Sequence, residues 1–178
     1  MSTLLKQVIF LEKENHTLGS RILLRSAIET LALLIYSNQK MESIVSTSQG
    51  FHEFSDTTSR LLLGSRNNST ELSSINILTA LQKCEKRYEG IMKLYEDLSE
   101  SSHPNWEGVC LTYTKTDREN FITYFENRWL EKFGNSQIDI IKTLMVIFET
   151  EYNDIWTKNF ESFEIWIQEN DDMLEASK

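Results

Sequence analysis

The sequence predicts an all-α fold, an antiparallel bundle of five to six helices. Three observations predict it. One proline and six glycines stand in 178 residues, too few for a strand-and-turn architecture. Apolar residues recur at helical spacing through long runs. A composition of 40% hydrophobic and 11% aromatic residues suits a folded chain with a substantial core, read as a single domain over residues 1–178.

Taken in order, Leu4, Val8 and Leu11 share a helical face at the start of the chain. The first strong helix is expected from about Thr17 to Val45, weakened but not broken by Gly19. A second covers Phe51 to Leu63, with Gly64 as its stop signal and a polar loop through Ser69. A third opens at Thr70-Glu71-Leu72 and carries Ile75, Ile77, Leu78 and Leu81 toward about Tyr88. A fourth runs from about Gly90 to Ser101, with Met92, Tyr95 and Leu98 on one side. Residues 103–117 read as irregular or briefly extended, with Val109–Thr114 the extended candidate. Asp117 is expected to cap a helix from Arg118 to Lys132, anchored by Phe121, Tyr124, Phe125 and Trp129 and ended at Gly134-Asn135-Ser136. The last helical run spans about 137–176, with a bend expected near Asn153–Asn159.

The net charge of −9 is unevenly spread. Residues 1–95 hold 11 Lys+Arg against 9 Asp+Glu, and residues 96–178 hold 7 against 18. An acidic surface repels phosphate, so any RNA contact is expected through the N-terminal half. Cys84 and Cys110 are the only cysteines; no CxxC or HExxH occurs, and neither cysteine has histidine at zinc-ligand spacing. No metal and no cofactor are expected. The first residues lack a signal-peptide pattern, and the longest apolar run, Leu31–Tyr36, is far too short for a bilayer. The expectation is a cytoplasmic protein without membrane contact.

Two places concentrate polar chemistry. On the helix at 17–45, a hundred-degree rotation per residue puts Leu24, Ile28, Leu31 and Ile35 on one side, extended by Leu23, Ala27 and Leu34. Ile22 and Leu33 fall on the far side. Between them runs a narrow stripe of Arg21, Ala32, Arg25, Tyr36 and Glu29. Arginine among apolar faces is rare unless paired. Arg25 and Glu29, four apart, can simply pair with each other. Alternatively, Arg21 or Arg25 faces a groove and holds an anion or a partner side chain.

The second place is Ser99-Glu100-Ser101-Ser102-His103-Pro104-Asn105-Trp106. Proline ends the helix and pushes His103 out of helical conformation. Ser99, Ser101, Ser102 and Asn105 are expected around that histidine, which can act as acid, base or phosphate contact. The plainer reading is a helix-ending turn in which Asn105 bonds the local backbone and Trp106 plugs the core. No GxSxG-like elbow supports a serine nucleophile. His16 and His52 sit in polar segments near helix starts and are expected to be solvated.

Arg25-Ser26-Ala27-Ile28-Glu29-Thr30 on the long helix resembles the R-x-x-I-E helix of HEPN-like bacterial domains. Tyr95–Glu100 running into His103-Pro104-Asn105, the Leu62–Asn67 turn and Ile75–Thr79 look like uncharacterised bacterial proteins sharing an LSE…HPN block. The resemblance covers roughly residues 17–115. It implies an all-α bundle, often dimeric, of a kind common in toxin–antitoxin and phage-defence systems. Many such domains are metal-independent ribonucleases with an arginine shortly before a histidine on one helix. There, arginine steadies phosphate charge and histidine moves a proton. This chain has Glu96, Asp97 and Leu98 where that arginine would stand, so only His103 matches.

These readings leave three functional possibilities. One is a HEPN-like module acting through a protein partner or a homodimer. Another is a metal-independent ribonuclease with His103 and Arg25 as catalytic candidates, or Arg21 in place of Arg25. A third reading is a nucleotide or small-molecule site lined by Arg25, Glu29, Ser99 and His103, and Arg21, Glu29, Tyr36, Ser99, Ser102 and Asn105 are the candidates for binding a ligand or a partner.

Overall fold

A computed structural model describes residues 1–47, 50–134 and 137–176. Nine α-helices dominate the described residues: α1 (Ser2–Lys13), α2 (Thr17–Thr47), α3 (Phe51–Leu63), α4 (Ile77–Glu85), α5 (Ile91–Ser102), α6 (Trp129–Phe133), α7 (Gln137–Glu149), α8 (Thr157–Glu169) and α9 (Asp171–Ala176). Two π-helical turns, Trp106–Leu111 and Thr150–Trp156, and one hairpin of β1 (Thr114–Asp117) with β2 (Ile122–Phe125) complete it. The fold class is all-α, as expected. The chain forms two compact units: Met1–Leu31 with Glu85–Val146, and Ala32–Cys84 with Ile147–Lys178.

In the first unit, α1 ends at Asn15, whose φ of 58° is left-handed. The Asn15 N–H donates to Glu12 O and the His16 N–H to Leu11 O at 2.8 Å, a Schellman closure that fixes the corner into α2. Gly19 sits where an added Cβ would meet Leu11 at 3.2 Å, so α1 packs close to α2. Leu24, Ala27, Ile28 and Leu31 are wholly buried, joined in the core by Leu5, Val8, Ile91, Leu98, Trp129, Ile141 and Leu144. Arg21 reaches Ser101 and the Asp97 carbonyl while Arg25 reaches Tyr95, so α2 and α5 run antiparallel.

In the second unit, Met41 and Ile44 of α2 cluster with Phe163, Trp166 and Leu174, flanked by Phe51, Phe54 and Trp156. Asn38 bonds Glu151, and Asn159 bonds both the Asn38 carbonyl and Glu42. Partner numbers rise together, so α2 and α8 run parallel. A sequence separation of 113 leaves room for that direction, which no short loop would allow.

Four expectations are corrected. The third helix starts at Ile77, not Thr70. Small polar side chains hold residues 65–76 in an irregular path: Thr70 Oγ1 donates to Leu63 O, Ser65 pairs with Ser73, and Asn76 Oδ1 accepts from Leu78 N. The helix expected over Arg118–Lys132 is mostly a hairpin. Ile122-Thr123-Tyr124-Phe125 is a β-branched and aromatic run, and Asp117 uses its cap chemistry in the turn, accepting from the N–H groups of Glu119 and Asn120. Those bonds, led by the Asn120 side chain, hold the Asp117 carboxyl below its ordinary value. Phe121, Tyr124 and Phe125 are exposed rather than anchoring; of the four expected anchors only Trp129 is buried. Trp106 is 68% exposed and plugs nothing. The extended segment lies at Thr114–Asp117, later than Val109–Thr114. Gly134 caps α6, while Asn135 and Ser136 of the expected break lie outside the described residues. Around the Asn153–Asn159 stretch where a bend is expected, a π-helical turn at Thr150–Trp156 stands between α7 and α8.

That turn carries Glu151, wholly buried, with Asn38 Nδ2 donating to its Oε2 at 2.6 Å and its carbonyl at 3.0 Å. Asn38→Ala removes both bonds from a buried acceptor and is expected to cost roughly 2–3 kcal/mol, read as a lowered urea midpoint. An unchanged midpoint would show that Asn38 does not hold the π-helical turn.

Candidate functional site

The polar stripe of α2 meets α5 at two levels. At the first, Arg21 is 4% exposed. Its Nε donates to Ser101 Oγ at 2.8 Å and its Nη2 to the Asp97 carbonyl at 3.0 Å. Its guanidinium lies 4.1 Å from the Phe133 ring centroid, a cation–π contact from α6. Burial lowers the Arg21 pKa, against the pull of Glu107, Asp97 and Glu12. A cleft of about 360 Å³ opens here, lined by Arg21, Leu94, Asp97, Glu107, Phe133 and Ile140 among others. Burial raises the Glu107 pKa although Arg21 opposes that shift. One cation facing two carboxylates gives this cleft an acidic balance, unsuited to phosphate.

At the second level, Arg25 Nη2 donates to Tyr95 Oη at 3.0 Å, and Tyr95 Oη donates to Glu29 Oε1 at 3.0 Å. Arg25 and Glu29 also pair at 3.4 Å. The two pair with each other as their spacing allows, but their side chains stay 31% and 33% exposed, and Tyr95 bridges them. Tyr36, the last residue of the stripe, belongs to the second unit, buried with Lys40 Nζ 5.8 Å from its ring.

The His103 block is a built turn. Helix α5 ends at Ser102, and His103 has extended backbone (φ −89°, ψ 152°), as the following proline requires. Asn105 Oδ1 accepts from Gly108 N at 2.9 Å and caps the π-helical turn, while its Nδ2 donates to Glu100. A Cβ on Gly108 would collide with the His103 carbonyl, so only glycine fits this approach. Ser102 Oγ donates back to Leu98 O at 2.6 Å. The Ser99 hydroxyl is buried without a hydrogen-bond partner among the described residues. Ser101 points at Arg21 rather than gathering with its neighbours around an exposed His103.

Arg25 bonds Tyr95, eight residues before His103 on α5, about 12 Å along a helix axis at 1.5 Å per residue. The bonds of Arg25 therefore draw it away from the histidine. Arg21 is drawn to the turn before it. Sequence reasoning missed Ser101 as the acceptor of Arg21, together with Asp97, Glu107 and Phe133. A signal existed for Ser101: it lies four residues after Asp97, on the α5 face of buried Leu98. Nothing in the spacing pointed to Phe133.

The two levels differ in worth. Arg21→Ala loses two charge-assisted bonds and the ring contact inside the core, an expected cost of roughly 3 kcal/mol. Arg25→Ala removes a solvent-screened pair and is expected to cost no more than about 1 kcal/mol. Chemical denaturation of both variants tests the order, and equal losses would contradict it.

No protein-family model, curated protein sequence or solved structure matches this chain, so what its side chains do has to follow from their own chemistry.

Proposed function

We propose that this chain is a HEPN-like helical module that works by protein association, with no robust catalysis alone, in a phage-defence or toxin–antitoxin setting. The β1–β2 hairpin carries this reading. Phe121 is 94% exposed and Phe125 85%, with Ile122 and Tyr124 also exposed. Two strands alone are marginal in water. The base is fastened by Arg128, whose Nη1 donates to Thr114 O at 2.7 Å and whose Nη2 and Nε bind Glu131. Arg128, helped by Lys132, brings the Glu131 carboxyl down to about 2. An anchored arm with an aromatic tip is costly to expose and suits a surface that a partner covers.

A second copy is the partner this arm fits. Strand β2 holds no charge and no proline, the usual guards of an edge strand. Pairing two copies antiparallel about the midpoint of Thr123 and Tyr124 sets Ile122 opposite Phe125, an aromatic–β-branched pair, and opposes no like charges. The resemblance to a family rich in dimers points the same way. The ribonuclease alternative has less support. Arg21 is buried in bonds to α5 with acidic neighbours, and the bonds of Arg25 lead away from His103.

Sedimentation velocity over a concentration series tests association. The wild-type chain is expected to gain dimer mass as concentration rises. Added salt should strengthen the dimer by screening a charge of −9 on each copy. The double variant Phe121→Gly/Phe125→Thr keeps residues suited to the left-handed turn and the strand while removing the aromatic surface. It should stay monomeric with an unchanged helical dichroism spectrum. A wild-type chain that stays monomeric throughout would remove the second copy as partner.

RNA incubated with the isolated protein and a chelator should remain intact. Chelator-resistant cleavage that falls at least ~10²-fold in His103→Ala, the loss expected for a general acid or base, would put the ribonuclease first.

A further inference from the structure

We propose that the Arg21 cleft binds a free α-amino acid with an apolar side chain, the guanidinium taking its carboxylate and Asp97 and Glu107 its ammonium. The cleft measures about 360 Å³, at the lower end of small-molecule sites. The proposal is independent of the association reading, since no hairpin residue lines this cleft.

The first observation is an incompletely answered cation. Arg21 is 4% exposed, and a charge so enclosed ordinarily has an opposite charge bonded to it. Its two hydrogen bonds go instead to a hydroxyl and a backbone carbonyl, Ser101 Oγ and Asp97 O. Arg21 forms no ion pair among the described residues; Glu107, Asp97 and Glu12 act on it from beyond bonding distance. A guanidinium has five N–H groups, so three remain, two of them on Nη1. Nη1 has no acceptor among the described residues, yet it is not sealed in protein as the Ser99 hydroxyl is. The guanidinium lies against Asp97 and Phe133, and both are walls of the cleft, so Nη1 meets solvent there. Charged N–H groups of this kind bond carboxylate oxygens about twice as strongly as neutral donors do.

The second observation is the opposite charge on the same cleft. Asp97 and Glu107 both line it, and neither carboxylate accepts a hydrogen bond among the described residues. Burial holds the Glu107 carboxyl above its ordinary value, and an ammonium beside it would offset that. A bare anion entering the cleft would meet both carboxylates, and a simple amine would meet Arg21. An α-amino acid carries both charges on one carbon and answers both sides. Leu94, Phe133 and Ile140 supply apolar walls for its side chain, where a polar one would be left unpaired.

Calorimetric titration of the full chain with L-leucine and L-phenylalanine tests the proposal. Each is compared with its single-charge analogues. Isopentylamine and phenethylamine lack the carboxylate, and 4-methylpentanoate and 3-phenylpropionate lack the ammonium. Saturable binding of at least one amino acid is expected, with each of its analogues at least about tenfold weaker, the loss of one charge-assisted bond. Glu107→Gln should weaken that amino acid roughly tenfold while the helical dichroism spectrum stays unchanged. Should Glu107→Gln misfold, Asp97→Asn, at an exposed position, is expected to show the same weakening. No saturable binding of either amino acid, an analogue that binds as well as its parent, or full affinity in the carboxylate variant would overturn the proposal.

Discussion

The buried guanidinium of Arg21 is the constraint around which the first unit is organised. A cation at 4% exposure has to be met on several sides, and three elements meet it: α5 through Ser101 and the Asp97 carbonyl, α6 through the Phe133 ring, and the π-helical turn through Glu107. Those demands fix the register of α2 on α5. Sliding either helix by one turn would part the buried charge from Ser101 and the Asp97 carbonyl. They also explain the density of serines at the end of α5. Ser101 accepts from the arginine, and Ser102 folds back on Leu98. Glu100 holds Asn105, which in turn starts the next turn. A run that looks like a reaction centre in the sequence is, in large part, the set of acceptors and caps that ends one helix and begins another.

Much of the fold was legible from the chain because long helices announce themselves. Residues 17–47 and 51–63 show clear periodicity, and Gly64 closes the second as expected. What was not legible has a physical pattern. At residues 70–76 apolar spacing suggested a helix, but Ser, Thr and Asn side chains bond the backbone locally and win. At 118–125, aromatic residues at helical spacing suggested an amphipathic face, but Ile122, Thr123, Tyr124 and Phe125 prefer a pleated backbone. Periodicity also cannot say which of two neighbouring arginines is enclosed. Arg21 and Arg25 lie on the same stripe, and only the tertiary neighbours decide that the first is buried and the second wet.

The functional residues divide similarly. His103 and Asn105 were visible because proline and asparagine punctuate the chain. Their role in the structure is a turn closed by Gly108, whose lack of a side chain admits the His103 carbonyl. Thr17 and Trp129 were visible only as a helix start and a core anchor. A threonine at a helix start and a tryptophan among aromatics are ordinary in sequence, and only the structure shows their polar atoms unanswered among the described residues.

The two units are each assembled from an early and a late piece of chain, and this orders their birth. During synthesis Met1–Leu31 waits for Glu85–Val146, and that unit can close before Ile147 has left the ribosome. Ala32–Cys84 waits longer. It is made early, yet its apolar partners Phe163, Trp166 and Leu174 arrive only after the first unit is complete. Met41, Ile44 and Phe54 must therefore wait for those later residues to complete their cluster, a nascent segment that a holding chaperone would recognise and that a premature stop would leave without them.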